Sequence, residues 1–279
     1  MSVRSESDFQ ELIKLQLLDI VSNSPVIYKY INFDTGLLTL ENSTIAFSHP
    51  LSFNDPYDCF IKLVDFKKVP KNYRQSLIDQ YFAHLDTAEK AKMLAKMSKT
   101  PDEVAINLLE TKGMDNELVD RGVSCFSRKN DNLLMWSHYA DSHKGICIGF
   151  NLLELYLSMD RHSTEKMVVL ADYTDTFSPL SYYEHKIESI VRWLKTKSNV
   201  WSYEEEIRII MKGLQFNDIS KFIAGVDQRA FNSVYLGTRV SAENEKVILE
   251  LCKKRYPEVT VSKIKPMENQ FKLESFRLV

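Results

Sequence analysis

Glycine is scarce in this chain of 279 residues. Eight occur, and none falls into G-x-G-x-x-G, G-x-x-x-x-G-K-S/T or G-x-S-x-G, so dinucleotide-binding Rossmann folds, P-loops and α/β-hydrolase elbows lose their usual support. H-E-x-x-H is also missing. The four cysteines, Cys59, Cys125, Cys147 and Cys252, include no C-x-x-C pair. Three lie in apolar runs, as buried thiols do, so neither a disulfide nor a structural zinc is expected. The acidic residues form no recognisable metal cluster, which leaves a metal-dependent nuclease unsupported and no metal expected.

Long apolar runs are lacking too. Asp8, Glu11 and Lys14 interrupt the N-terminal segment, and nowhere do about 18 uncharged apolar residues follow one another, so no membrane partner and a cytoplasmic location are expected. Charge of one sign is missing: 36 basic residues stand against 38 acidic ones, a net charge of -2. There is no strong nucleic-acid signal, although Lys253, Lys254 and Arg255 make a small basic run.

What is present is an ordinary soluble composition, 44% hydrophobic and 27% charged, with ample length for a real core. Helix and strand signals mix without strict alternation, which predicts an α+β fold. No linker or internal repeat is visible, and one compact domain over 1–279 with a helical insertion at about 69–120 is the simplest organisation. Within that insertion, Thr87 is expected to cap a helix from Ala88 to about Met97. Thr100 and Pro101 are expected to open another, with Gly113 as its stop.

The densest chemistry lies between Val123 and Phe150, read as strand, loop, helix and strand. Asp131 or Asn132 can start the helix and Gly145 can end it. Leu133, Trp136, Tyr139, Ala140 and His143 fall on one stripe, which fits either a core face or the wall of a pocket. A second notable segment is Trp201 to Met211. Read as a strand, it projects Glu204, Glu206 and Arg208 to one face and Glu205, Ile207 and Ile209 to the other. Like charges so spaced oppose one another unless a cation or ligand stands between them, and Arg208 is the built-in cation. The alternatives are a solvated edge strand or an internal strand whose charged face opens on a cleft.

Elsewhere, Ser7 to Asn23 has the spacing of an amphipathic helix, with Ser7 and Gln10 in capping-box register. Val26 to Ile31 reads as a strand with Lys29 and Ile27 on one face and Tyr28 and Tyr30 on the other. His49 to Cys59 is a rigid, turn-rich loop that either seals the core or lines a site. Asn151 and Ser241 are expected to cap helices reaching Ser158 and about Arg255. A helix is expected from about Tyr182 to Lys197, burying Ile187, Ile190, Val191 and Leu194.

Y-K-Y at Tyr28 to Tyr30, F-N-D-P-Y-D at Phe53 to Asp58, C-F-S with M-W-S-H-Y-A-D-x-H-K-G between Cys125 and Gly145, and K-S-x-x-W-x-Y-E-x-E-x-R from Lys197 to Arg208 together resemble a bacterial family catalogued as domain of unknown function 2971. More weakly, the chain is similar to the ADP-ribosyltransferase fold, a split, mixed or antiparallel β body that holds NAD in a cleft. The order Lys29, then Ser124 to Ser127 with Tyr139, then Glu204 to Glu206 follows that fold's motif order, with Lys29 where an Arg or His is usual.

That similarity implies cleavage of the nicotinamide–ribose bond through an oxocarbenium-like ribose, with a carboxylate on the ribose hydroxyls. Glu206 would be that carboxylate and Glu204 would orient an acceptor. Lys29 or Arg208 would hold diphosphate, Tyr139 would stack on nicotinamide, His143 would bond a ribose, and Tyr30 and Ser127 would complete the cofactor-binding set. The other class of function is a non-catalytic module that senses a small nucleotide or other ligand in the same cleft.

Overall fold

The computed structural model describes residues 6–68, 83–98, 110–111, 113, 117, 119–216 and 221–279. In chain order the elements are α1 (Glu6–Asn23), β1 (Val26–Ile31), α2 (Phe33–Asn42), β2 (Thr44–Ser48), β3 (Val64–Asp65), α3 (Thr87–Ser98), β4 (Gly122–Ser127), α4 (Leu133–Tyr139), β5 (Ile146–Asn151), α5 (Leu152–Ser158), β6 (Lys166–Leu170), β7 (Asp172–Thr174), β8 (Leu180–Ser181), α6 (Lys186–Lys195), β9 (Thr196–Ser198), β10 (Glu206–Met211), β11 (Lys221–Gly225), β12 (Phe231–Leu236), α7 (Ala242–Arg255), β13 (Thr260–Pro266) and β14 (Leu273–Arg277). Ten of the strands form one mixed sheet, ordered β11-β2-β4-β1-β5-β12-β13-β14, with β10 and then β6 continuing from β4. Its pairings are antiparallel except for β12 with β13. The fold is α+β.

Several starts follow from local chemistry. Asn32, Asn132, Asn151 and Ser241 each accept a backbone N–H of the helix they precede, satisfying donors that have no intrahelical partner. Asp86, rather than Thr87, caps α3, accepting from the N–H groups of Ala88 and Glu89 at 2.8 Å each. Gly113 lies in helical backbone, so it does not stop a helix. A Cβ there would come within 2.7 Å of the Phe66 ring, so close packing, not termination, explains the glycine. Thr100 and Pro101, like most of 69–120, lie outside the described residues.

The sheet forks at β4. One edge of β4 pairs with β10 along its whole length, from Gly122 opposite Met211 to Ser127 opposite Glu206. Its other edge is shared: Val123 pairs with Ser48 of β2 and Ser127 with Tyr28 of β1. Between those two pairs, Lys29 fills the gap. Its Nζ donates to the Cys125 carbonyl at 2.9 Å and to Ser124 Oγ at 3.1 Å, and lies 4.7 Å from the Phe126 ring centre.

Register assigns the faces, because residues directly opposite in an antiparallel pair project to the same side. Tyr28, Ser127 and Glu206 therefore share a face with Tyr30, Cys125, Arg208 and Ile210, whereas Ile27, Lys29, Ser124, Phe126, Ile207 and Ile209 share the other. The second face is apolar apart from Lys29 and Ser124, and packs with Leu40, Leu152, Leu155, Ile248 and Tyr256 in the larger core. Each fully buried isoleucine there, such as Ile207 or Ile209, contributes roughly 1.5–3 kcal/mol. The first face carries two smaller cores, one around Trp193, Leu194 and Leu63, the other around Trp136, Met135 and Tyr30. Charged groups lie between them.

Candidate functional site

β10 begins at Glu206, five residues later than the strand expected from Trp201. Asn199 to Glu204 winds as a 3-10 helix, and Glu205 sits in left-handed backbone with φ 44°. Glu204 and Glu206 therefore come from different elements instead of one strand face. They meet because Lys197, in the middle of β9, donates to Glu204 Oε2 at 2.5 Å and to Glu206 Oε2 at 2.8 Å. Glu206 also accepts from Arg208, Oε1 from Nε at 2.9 Å and Oε2 from Nη2 at 3.1 Å.

Asp58, from the turn-rich loop, completes the cluster. Its carboxylate lies 2.7 Å from Arg208 Nη2 and 3.4 Å from Lys197 Nζ. Arg208 Nη1 donates to the Leu194 carbonyl at 2.9 Å, tying the cluster to α6. All five ionic side chains are buried, and three carboxylates share two cations. Such a cluster tolerates burial because its opposite charges are close, with Glu204 hydrogen-bonded to Lys197, Glu206 to Lys197 and Arg208, and Asp58 held by ion pairs.

The two glutamates differ in protonation. Burial alone would raise the Glu206 carboxyl, but Arg208 and then Lys197 outweigh it and hold its pKa down at about 2. Burial dominates at Glu204 and pushes its pKa above the ordinary value, against the opposing pull of Lys197 and a hydrogen bond from Tyr139. Tyr139 Oη donates to Glu204 Oε1 at 2.5 Å, and this bond together with burial raises the phenol's own pKa.

Around Glu204 the surface is aromatic. Tyr139 and Tyr203 are half-buried, Tyr203 Oη lies 3.0 Å from His138 Nδ1, and Trp201 Nε1 donates to Asp55 at 2.7 Å. Arg128 and Lys129, both exposed, pair with Glu205 beside the cluster.

α4 supplies Tyr139 but ends earlier than expected. Its cap is Ala140, and Asp141, Ser142 and His143 follow in left-handed backbone, with φ of 45°, 51° and 71°. Gly145 instead lets chains approach, since a Cβ there would lie 2.2 Å from the Ile31 carbonyl oxygen. Of the expected stripe, Trp136 and Ala140 are buried, while Leu133 is exposed and Met135 takes its place in the core. The His143 ring stacks on Trp136 at 6.2 Å, its Nε2 is 3.3 Å from Ser137 Oγ, and its Nδ1 is buried without a hydrogen-bond partner in the described structure.

The structure thus brings Glu204, Glu206, Arg208 and Tyr139 together. Tyr30 and Ser127 share their sheet face but serve the backbone: Tyr30 Oη donates to the Lys129 carbonyl at 2.8 Å, and Ser127 Oγ accepts from the Lys129 N–H at 3.1 Å. His143 stands at the far end of the aromatic helix, on Trp136. Lys29 projects from the opposite face of the sheet and is separated from the group. Sequence reasoning passed over Asp58 and Lys197 as functional residues, although both lie in the F-N-D-P-Y-D and K-S-x-x-W blocks. The available signal was two acidic side chains needing a cation, with a lysine seven and nine residues away.

A family model described as "Protein of unknown function (DUF2971)" matches residues 135–209. That segment runs from α4 into β10 and holds Tyr139, Lys197, Glu204, Glu206 and Arg208; Lys29 and Asp58 lie outside it. No curated protein and no solved structure matches the chain. Among the described residues, no helix is long and apolar enough to cross a membrane.

Proposed function

We propose that the chain is an ADP-ribosyltransferase-like enzyme cleaving the nicotinamide–ribose bond of NAD, with Glu204 rather than Glu206 as the carboxylate that meets the ribose. The supporting observation is the division of the pair. Two carboxylates on one lysine ammonium are driven apart, Glu206 held ionised by Arg208 and Lys197 and Glu204 raised by burial. Such a division marks acid and base roles. Glu206, with both oxygens engaged by cations, would fix Lys197 and through it Glu204. Glu204, whose Oε1 is covered only by the half-buried Tyr139 hydroxyl, would be the group a ribose hydroxyl reaches once that hydroxyl swings aside.

A carboxylate there would stabilise the oxocarbenium-like ribose as nicotinamide departs. The rings of Tyr139 and Tyr203 would stack on nicotinamide, and Arg128 and Lys129 would take the diphosphate in place of Lys29.

Nicotinamide release from NAD by wild type and by Glu204→Gln tests this. The substitution is expected to lower turnover roughly 10²- to 10³-fold, as loss of a preorganised electrostatic group does, without loss of fold. Equal turnover in the two proteins, or no release from wild type, refutes it. A second reading, a nucleotide-sensing module without turnover, draws on a different observation: both oxygens of both glutamates are already engaged by protein donors. Thermal stabilisation by NAD or ADP-ribose without nicotinamide release would select it.

A further inference from the structure

On the same sheet face as Arg208, but two residues further along β10, Ile210 forms the floor of a cavity of about 330 Å³. We infer that this cavity is a binding site for a small amphipathic monocarboxylate, separate from the Glu204 site. The volume lies at the lower end of ligand pockets, roughly 300–1,000 Å³.

Its floor and walls are Ile13 of α1, Met167 of β6, Ile187, Ile190 and Val191 of α6, and Ile210. An apolar body belongs there. The mouth is charged. Glu117 is ion-paired to Arg121 and lies 3.5 Å from Lys186, while Lys212 and Glu165 are 3.5 Å apart. The neighbouring cations, with a bond from Tyr182, keep Glu117 ionised against burial. Arg121 and Lys186 thus share a single carboxylate, Lys212 cancels Glu165, and Lys166, the remaining cation of the lining, is paired outside it with Asp160. One positive charge remains at the rim of an apolar hole, the complement of one anionic head on an apolar tail. Lys186 is the reachable cation, with more than half of its side chain exposed at 56%.

Occupancy would bear on the ionic cluster, because α6 lines the cavity with Ile190 and Val191 and then gives its Leu194 carbonyl to Arg208.

Decanoate titrated calorimetrically into the full chain tests the site. One saturable site per chain is expected, with decanol binding at least roughly tenfold more weakly. Lys186→Glu, at an exposed position, should weaken decanoate roughly tenfold or more. Ile187→Trp, at a half-buried wall position, should abolish binding, and melting curves confirm that both variants fold. Absence of saturable decanoate binding overturns the inference. So does a folded Lys186→Glu protein that binds decanoate as wild type does, since the rim charge would then select nothing. Neither outcome touches nicotinamide release, so this site and the Glu204 reading fail independently.

Discussion

Two lysines, Lys29 in the large sheet and Lys197 in the small β7–β9 pair, have opposite surroundings. Lys29 fills the fork between β1 and β2, where its contacts are a serine hydroxyl, a backbone carbonyl and the face of Phe126. Lys197 sits among Glu204, Glu206 and Asp58. Burial disfavours both ammonium groups, and it wins at Lys29, whose pKa is lowered. At Lys197 the three carboxylates outweigh burial and raise it. The same side chain is a backbone plug in one place and the centre of an ionic cluster in the other. Only the second has the convergent charge that chemistry needs.

That contrast breaks most readily at Lys197. Lys197→Met should destabilise the protein by about 3–5 kcal/mol in urea denaturation, since it strands buried carboxylates. A loss no larger than that of Lys29→Met would show that the cluster does not depend on its lysine. The next effect is on acid stability. Glu206 has a folded-state pKa of about 2 against an ordinary 4.5, so the stability it brings is complete above 4.5 and drains away as pH falls toward 2. Glu206→Gln should flatten that acid slope, measured by denaturation at stepped pH, and an unchanged slope would remove Glu206 from the ionised set.

Lys29→Met should cost about 1–3 kcal/mol, the penalty for leaving the Cys125 carbonyl without its donor. Because burial lowers the Lys29 pKa, the folded state favours the neutral amine and stability gains as pH rises toward the ordinary 10.5. The difference between wild type and Lys29→Met should therefore widen in wild type's favour over that alkaline range. The smallest effect is at the cluster's edge. Tyr173 Oη accepts from the Glu206 N–H at 2.9 Å, and Tyr173→Phe should cost about 0.5–1.5 kcal/mol with the acid slope intact.

Much of the secondary structure was readable locally. β1, β5, α5 and the start of α7 stand where periodicity and the capping residues Asn151 and Ser241 put them, because those signals act over three or four residues. α2 begins four residues before its apolar run, at a cap supplied by Asn32. β11 was not anticipated; an edge strand leaves little periodic signature. Alternation places Glu204 in a strand because Glu205 reads as one of its ordinary members, whereas Glu204 ends a 3-10 helix. Only the left-handed backbone of Glu205, paired outward to Arg128 and Lys129, turns the chain there.

The amino-acid order alone determined the α+β character, the charged block ending at Arg208 and the aromatic helix carrying Tyr139, since composition, capping and periodicity are properties of neighbours. Which charges meet was decided by the tertiary structure. Lys29 and Glu206 stand on opposite faces through the pairing register of β1, β4 and β10, and Asp58 joins Lys197 across about half of the chain's length. Register and loop closure are set by packing between distant segments, and a one-residue difference in pairing exchanges the two faces of a strand.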